Sequence, residues 1–114
     1  MPYDEGLAQR IREILVDYRG IVEKKMFGGM AFMLNGNMLC GIIGEDFIAR
    51  LGPGNYEIYL EKAHTKKFDL TGKPMKGFVM VSPKGYEDDS DLSFWIKTCI
   101  SFATVHISLV VILV

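Results

Sequence analysis

Lys24-Lys25-Met26-Phe27-Gly28-Gly29-Met30-Ala31-Phe32-Met33-Leu34-Asn35-Gly36 is the stretch that decides the fold. A strand-like run is broken by a glycine pair, resumes as a hydrophobic strand, and ends in Asn-Gly, the strongest short hairpin signal. The returning arm, Asn37-Met38-Leu39-Cys40-Gly41-Ile42-Ile43-Gly44, follows at once. A third arm, Phe47-Ile48-Ala49-Arg50-Leu51, comes after the two-residue joint Glu45-Asp46. Three consecutive short strands with tight joints predict an antiparallel meander over roughly residues 22–51. Alternation places Phe47, Ala49 and Leu51 on one face of the third strand and Ile48 and Arg50 on the other.

Before the meander, Asp4 is placed to cap a helix, and Leu7, Ile11, Ile14, Leu15 and Tyr18 recur at helical spacing as one buried stripe. Gly20 is a natural stop. After it, Gly52-Pro53-Gly54 breaks the chain, and a short helix is expected over about residues 55–62. Lys67-Phe68-Asp69-Leu70 and Gly77-Phe78-Val79-Met80-Val81 read as two further strands, joined by a turn at Thr71-Gly72-Lys73-Pro74. The acidic run Glu87 to Asp91 suits the start of a last helix, whose stripe is Leu92, Trp95, Ile96, Cys99, Ile100 and Ala103. The order is α-β-β-β-α-β-β-α. It predicts a two-layer α+β domain: a mainly antiparallel sheet of about five strands with the terminal helices packed on one face.

The 114 residues suffice for one domain, here placed at residues 1–104, followed by an apolar segment at 105–114. A net charge of −1 gives no global pull toward nucleic acid or acidic membranes. Two cysteines inside apolar runs, Cys40 and Cys99, read as buried reduced thiols of a cytoplasmic protein rather than a disulfide framework. The N-terminus has no basic region followed by an apolar core, so it does not read as a signal peptide.

Lys25-Met26-Phe27-Gly28-Gly29, Phe32, Asn35-Gly36, Met38, Gly41, Arg50 with Gly52, and Gly72-Lys73-Pro74-Met75-Lys76-Gly77 resemble the N-terminal domain family of TfoX, the bacterial competence regulator also called Sxy. The resemblance covers about residues 3–103. It implies a small cytoplasmic protein without enzymatic activity, linked in the best-known members to transcriptional control of DNA-uptake genes. In the family the domain occurs alone or followed by a second, helical domain.

Chemistry is sparse in the residues themselves. Phe27-Gly28-Gly29 lies between strands with no GK[ST] after it, so a bulge or tight bend fits better than a phosphate cradle. His64 and His106 have no nucleophile in a recognisable setting, and the scattered Cys and His residues do not make a zinc site. The methionines fill core space more simply than they bind copper. No catalytic, cofactor or metal residue is expected. Lys62, His64, Lys66, Lys67, Lys73 and Lys76 form one basic patch, which Lys24 and Lys25 extend if the strands lie close. The residues taken as candidate contacts for a partner or for nucleic acid are Lys24, Lys25, Arg50, Lys66, Lys67, Lys73 and Lys76. Phosphate contact and a solvated edge that discourages sheet-to-sheet pairing both account for the lysines. Arg50, in an otherwise apolar strand, is expected to face water or pair with a carboxylate.

Residues 98–114 contain no Asp, Glu, Lys or Arg. Three readings of this segment compete: a membrane anchor at the short limit of a span, an oligomer contact, and an extension not ancestral to the family. Its β-branched residues favour strand over helix. The functional expectation is a TfoX-like domain that binds an unknown protein partner, such as the transcription machinery, and forms a homodimer. Direct nucleic-acid binding through the lysine patch is the alternative, and a small-molecule-binding role comes third.

Overall fold

A computed structural model describes the backbone of residues 3–113 except 27, 55, 70, 71 and 73, and the side chains of these residues except 74 and 105–113. The elements are α1 (Glu5–Ile14), β1 (Ile21–Met26), β2 (Gly29–Leu34), β3 (Asn37–Ile43), β4 (Asp46–Arg50), α2 (Tyr56–Tyr59), β5 (Thr65–Asp69), β6 (Pro74–Val81), a 3-10 turn (Pro83–Gly85) and α3 (Asp89–Leu113). The strands form one sheet in the order β1-β2-β3-β4-β6-β5, and every neighbouring pair is antiparallel. This is the expected two-layer α+β architecture, with six strands instead of about five.

The additional strand comes from the opening stretch. The glycine pair does not merely bend one strand; it closes a hairpin in which Met26 faces Gly29 across residues 27 and 28. Gly28 has φ +77, a conformation that L-residues rarely adopt. A side chain at Gly29 would collide with the Ile42 carbonyl oxygen of β3, so only glycine lets three strands meet there. The Asn35-Gly36 turn then returns the chain as foreseen, both residues having positive φ.

α1 begins where Asp4 accepts the Leu7 N–H at 3.1 Å, and it buries Leu7, Ala8 and Ile11, with Leu15 just beyond its end. It stops at Ile14, well short of Gly20, so Tyr18 leaves the helical period and is 42% exposed, against expectation. The chain turns there to reach β1, and Gly20 (φ +84) offers its carbonyl to the Asn35 N–H at 3.1 Å. Arg12 holds α1 to the sheet edge through two hydrogen bonds of 2.7 Å to Glu23 on β1. Those bonds keep the Glu23 carboxyl below its usual range.

α3 sets Leu92, Trp95, Ile96, Cys99 and Ala103 into the same core as α1 and the inner sheet face, which contributes Phe32, Cys40, Ile42, Phe47, Ala49, Leu51, Val79 and Val81. The indole of Trp95 is 2% exposed and donates to the Gly85 carbonyl at 3.2 Å. The acidic run does open this helix: Asp89 and Asp91 stand in its first turn, and Asp89 meets Arg10 at 3.1 Å. α2 is shorter than expected, a single turn that buries Tyr56.

The helix continues to Leu113, across the expected domain boundary and against the strand preference of its last residues. An existing helix gains a backbone hydrogen bond with each added residue, whereas a β-branched residue costs at most about 0.7 kcal/mol. Whether these residues are covered lies outside the described side chains. Among the described residues, no helix is long and apolar enough to cross a membrane.

Cys40 and Cys99 are free and buried. Loss of water pushes the Cys99 thiol up to about 12 and the Cys40 thiol well above its ordinary value. Tyr86, whose hydroxyl donates to the Glu45 carbonyl, is likewise pushed to about 12, first by burial and then by nearby carboxylates. Raised pKa values favour the fold below the unfolded pKa of about 8.5 for Cys and about 10 for Tyr. That contribution is lost as pH rises toward the folded values. Both thiols should therefore resist a thiol reagent at pH 7.5 until the chain unfolds, and the urea midpoint should fall from about pH 8.5 upward. Rapid labelling of both native thiols would contradict their burial.

Candidate partner-binding face

Alternation along six strands divides the sheet into two faces with different surroundings. The helices cover the inner face. The outer face carries a second apolar cluster of Ala31, Met38, Ile48 and Phe68, joined by the partly buried Met26, Met33, Ile43, Phe78 and Met80. The described members of this cluster are all strand residues, whereas the described buried apolar residues of the three helices belong to the other core. Phe68 and Phe78 lie 5.8 Å apart, centroid to centroid. Methionine is well suited to such a cluster, because its unbranched, polarizable side chain fills irregular gaps.

Cross-strand partners share a face, so the register sorts the candidate cations. Glu23 bonds α1, which turns Ile21, Glu23 and Lys25 toward the helix layer and Val22, Lys24 and Met26 outward. Lys24 accordingly pairs with Ala31, and Val22 with Met33. At the other end, Lys66 pairs with Met80 of the outer face and Lys67 with Val79 of the core. The outer face therefore carries Lys24, Arg50 and Lys66, whereas Lys25 and Lys67 belong to the helix side. Asp46, opposite Ile43, is its acidic counterpart.

The structure does not bring the lysines together. β1 and β5 are the two edges of the sheet, so Lys24-Lys25 and Lys66-Lys67 are separated by five strand spacings, roughly 24 Å. The extension of one basic patch across the strands is thereby corrected: each edge has its own Lys-Lys pair. Lys76 is exposed beside Gly77, where φ +91 and close contact with Gly52 and Pro53 interrupt the regular pairing of β6. Lys73 lies outside the described residues. Lys62 and His64 line a separate surface groove of 250 Å³ with Lys84 and Asp91, and the Lys62 ammonium sits 4.8 Å from the Phe94 ring centroid.

Arg50 stands at the end of β4, where the two faces meet. Its guanidinium carbon is 5.9 Å from the Phe78 ring centroid and 5.6 Å from that of Phe102 on α3. One Nη donates to the Met38 carbonyl at 3.4 Å, long for such a bond. Among the described residues, the salt bridges are made by Arg10 and Arg12, and none reaches Arg50. Of the two expectations, water or a carboxylate, no described carboxylate is met; Arg50 is half-buried and supported by two aromatic rings. Gly52 explains this choice, since a Cβ there would run into the Phe102 ring. A glycine two residues after the arginine lets α3 place that ring against the strand end. Phe78 and Phe102 thus join the surroundings of Arg50, although sequence reasoning assigned them no role. The available signal was the Arg50–Gly52 pair inside an apolar run.

The glycine pair lies in a hairpin turn instead of at a helix N-terminus. Among the described residues, no group of three or more His, Cys, Asp or Glu could hold a metal. The profile described as the TfoX N-terminal domain matches residues 13–103, and the family it defines is non-catalytic. No curated protein and no solved structure matches the chain.

Proposed function

The chain belongs to the TfoX N-terminal domain family, and from that premise we propose that it is a cytoplasmic regulatory domain that binds a protein of the transcription machinery, in the manner of relatives that control competence genes. The observation that carries this reading is the outer sheet face: a second apolar cluster without any described helix residue, buried at Ala31, Met38, Ile48 and Phe68 and partly exposed at Met33, Phe78 and Met80. Its partly exposed rim, extended by the 59% exposed Val22, offers an apolar contact site. The separation of the lysine pairs to opposite edges argues for protein over DNA, because a duplex is gripped by cations lined up along one surface.

Capture from the native cell with mass spectrometry names the partner; binding of that purified partner is the test. Val22→Asp and Met33→Asp each put a carboxylate on the outer face, Val22 being 59% exposed and therefore tolerant of the change. The double variant should weaken binding by at least about tenfold, with little dependence on salt. Duplex DNA bound with a steep salt slope, unaffected by the same substitutions, would assign the function to nucleic acid instead.

A further inference from the structure

Away from the outer face, three chain segments meet at the groove of 250 Å³: the joint between α2 and β5, the 3-10 turn, and the first turns of α3. They bring together Lys62, His64, Lys84 and Asp91, all exposed, beside the ring of Phe94. Among the described residues the ion pairs belong to Arg10 and Arg12, so these four side chains line the groove without a charge partner. Hydrogen bonds fix the walls. The His64 carbonyl accepts the Ser82 N–H at 2.9 Å and the Ser82 hydroxyl at 3.2 Å, and the Lys62 carbonyl accepts the Thr65 hydroxyl at 2.7 Å. Gly85 lets the two loops close, since a Cβ there would lie 2.6 Å from Val81 Cγ1 and 3.2 Å from His64 Cβ. His64 itself has φ +67, a conformation that glycine adopts freely and other residues adopt at a cost. Strain of that kind, kept at a residue lining a groove, points to a functional position.

The side chains also select the ligand. Two ammonium groups supply compact positive charge suited to a phosphate, and the His64 imidazole adds an N–H. The Lys62 ammonium rests 4.8 Å from the Phe94 centroid, which holds it at the groove before a ligand arrives and lowers the ordering cost of binding. Asp91 would only repel a bare anion. A carboxylate accepts from hydroxyls, so it suits a ligand that carries hydroxyl groups beside its phosphate. The volume of 250 Å³ falls just under the range of about 300–1,000 Å³ for pockets that take drug-sized ligands, which limits the ligand to a small one. We propose that this groove binds a small phosphorylated sugar or polyol, with Lys62, Lys84 and His64 on the phosphate and Asp91 on a hydroxyl. The site is separate from the outer face and does not depend on the reading of that face.

The probes are ribose 5-phosphate, ribose and inorganic phosphate, each titrated into the full chain by isothermal calorimetry. Ribose 5-phosphate should bind at least about fivefold tighter than inorganic phosphate, and ribose should give no saturable binding. Lys62→Gln with Lys84→Gln should weaken ribose 5-phosphate by about tenfold, through loss of charge-assisted bonds. Asp91→Ala should weaken ribose 5-phosphate yet tighten inorganic phosphate, a crossover that a merely structural role would not produce. His64→Gly relieves the backbone strain, so it should weaken ribose 5-phosphate about threefold without lowering the thermal midpoint. All four positions are exposed, and circular dichroism checks that each variant folds. No binding of ribose 5-phosphate, or binding that the double lysine variant leaves unchanged, would overturn the site. A phosphoserine peptide bound more tightly than ribose 5-phosphate, with the same lysine dependence, would overturn the hydroxyl requirement and assign the groove to a modified protein.

Discussion

Trp95→Ala should lower the stability of the domain by about 3–5 kcal/mol, the range for loss of a large buried aromatic side chain. The indole is 2% exposed at the centre of the core shared by α1, α3 and the inner sheet face. It touches Tyr59 and Phe94 edge-on, at centroid distances of 5.9 and 5.4 Å, and its N–H is spent on the Gly85 carbonyl. Truncation therefore removes apolar contact, opens a cavity and leaves that carbonyl unpaired. Urea denaturation reads the effect. Phe94→Ala is the control one residue away: that ring is 40% exposed, and its loss should cost no more than about 1.5 kcal/mol. Equal small shifts for the two variants would show that Trp95 is not a core residue.

The second large effect concerns the apolar end of α3. Ala103 is the last residue of that helix with a described place in the core, and residues 105–114 add eight large aliphatic side chains with no charge among them. At about 25 cal/mol per Å² of apolar surface, leaving them in water forfeits several kcal/mol. We propose that a second copy of the chain supplies the cover. Light scattering should give a dimer for the full chain and a monomer for a chain ended at Ala103. Two monomers, neither of which partitions into lipid vesicles, would end the oligomer proposal. Vesicle binding by the full chain alone would assign the segment to a membrane.

Much of this architecture was legible because local chemistry and tertiary need coincide. The Asn35-Gly36 turn, the alternation of Phe47, Ile48 and Ala49, the Asp4 cap and the Trp95 stripe each follow from short-range rules that the core then rewards. The limits appear where long-range packing prevails. Tyr18 continues the helical period of α1 on paper, yet the chain must leave the helix at Ile14 to enter β1. The glycine pair read as a bend, because nothing local reveals that the Ile42 carbonyl of β3 occupies the space beside Gly29.

The candidate site shows the same division. By itself the sequence determined that Arg50 is unusual, that the lysines come in pairs, and that methionines recur along the strands, since these are matters of composition and spacing. Only the tertiary structure decided which of them lie together. Strand order sends Lys24-Lys25 and Lys66-Lys67 to opposite edges, and register separates each pair between the two faces. The neighbours of Arg50 come from β6 and α3, at residues 78 and 102, positions that no local pattern links to it. Side-chain periodicity tells which residues share a face of one strand, but the order of strands and the layer occupied by the helices are settled by how the whole chain buries its apolar surface.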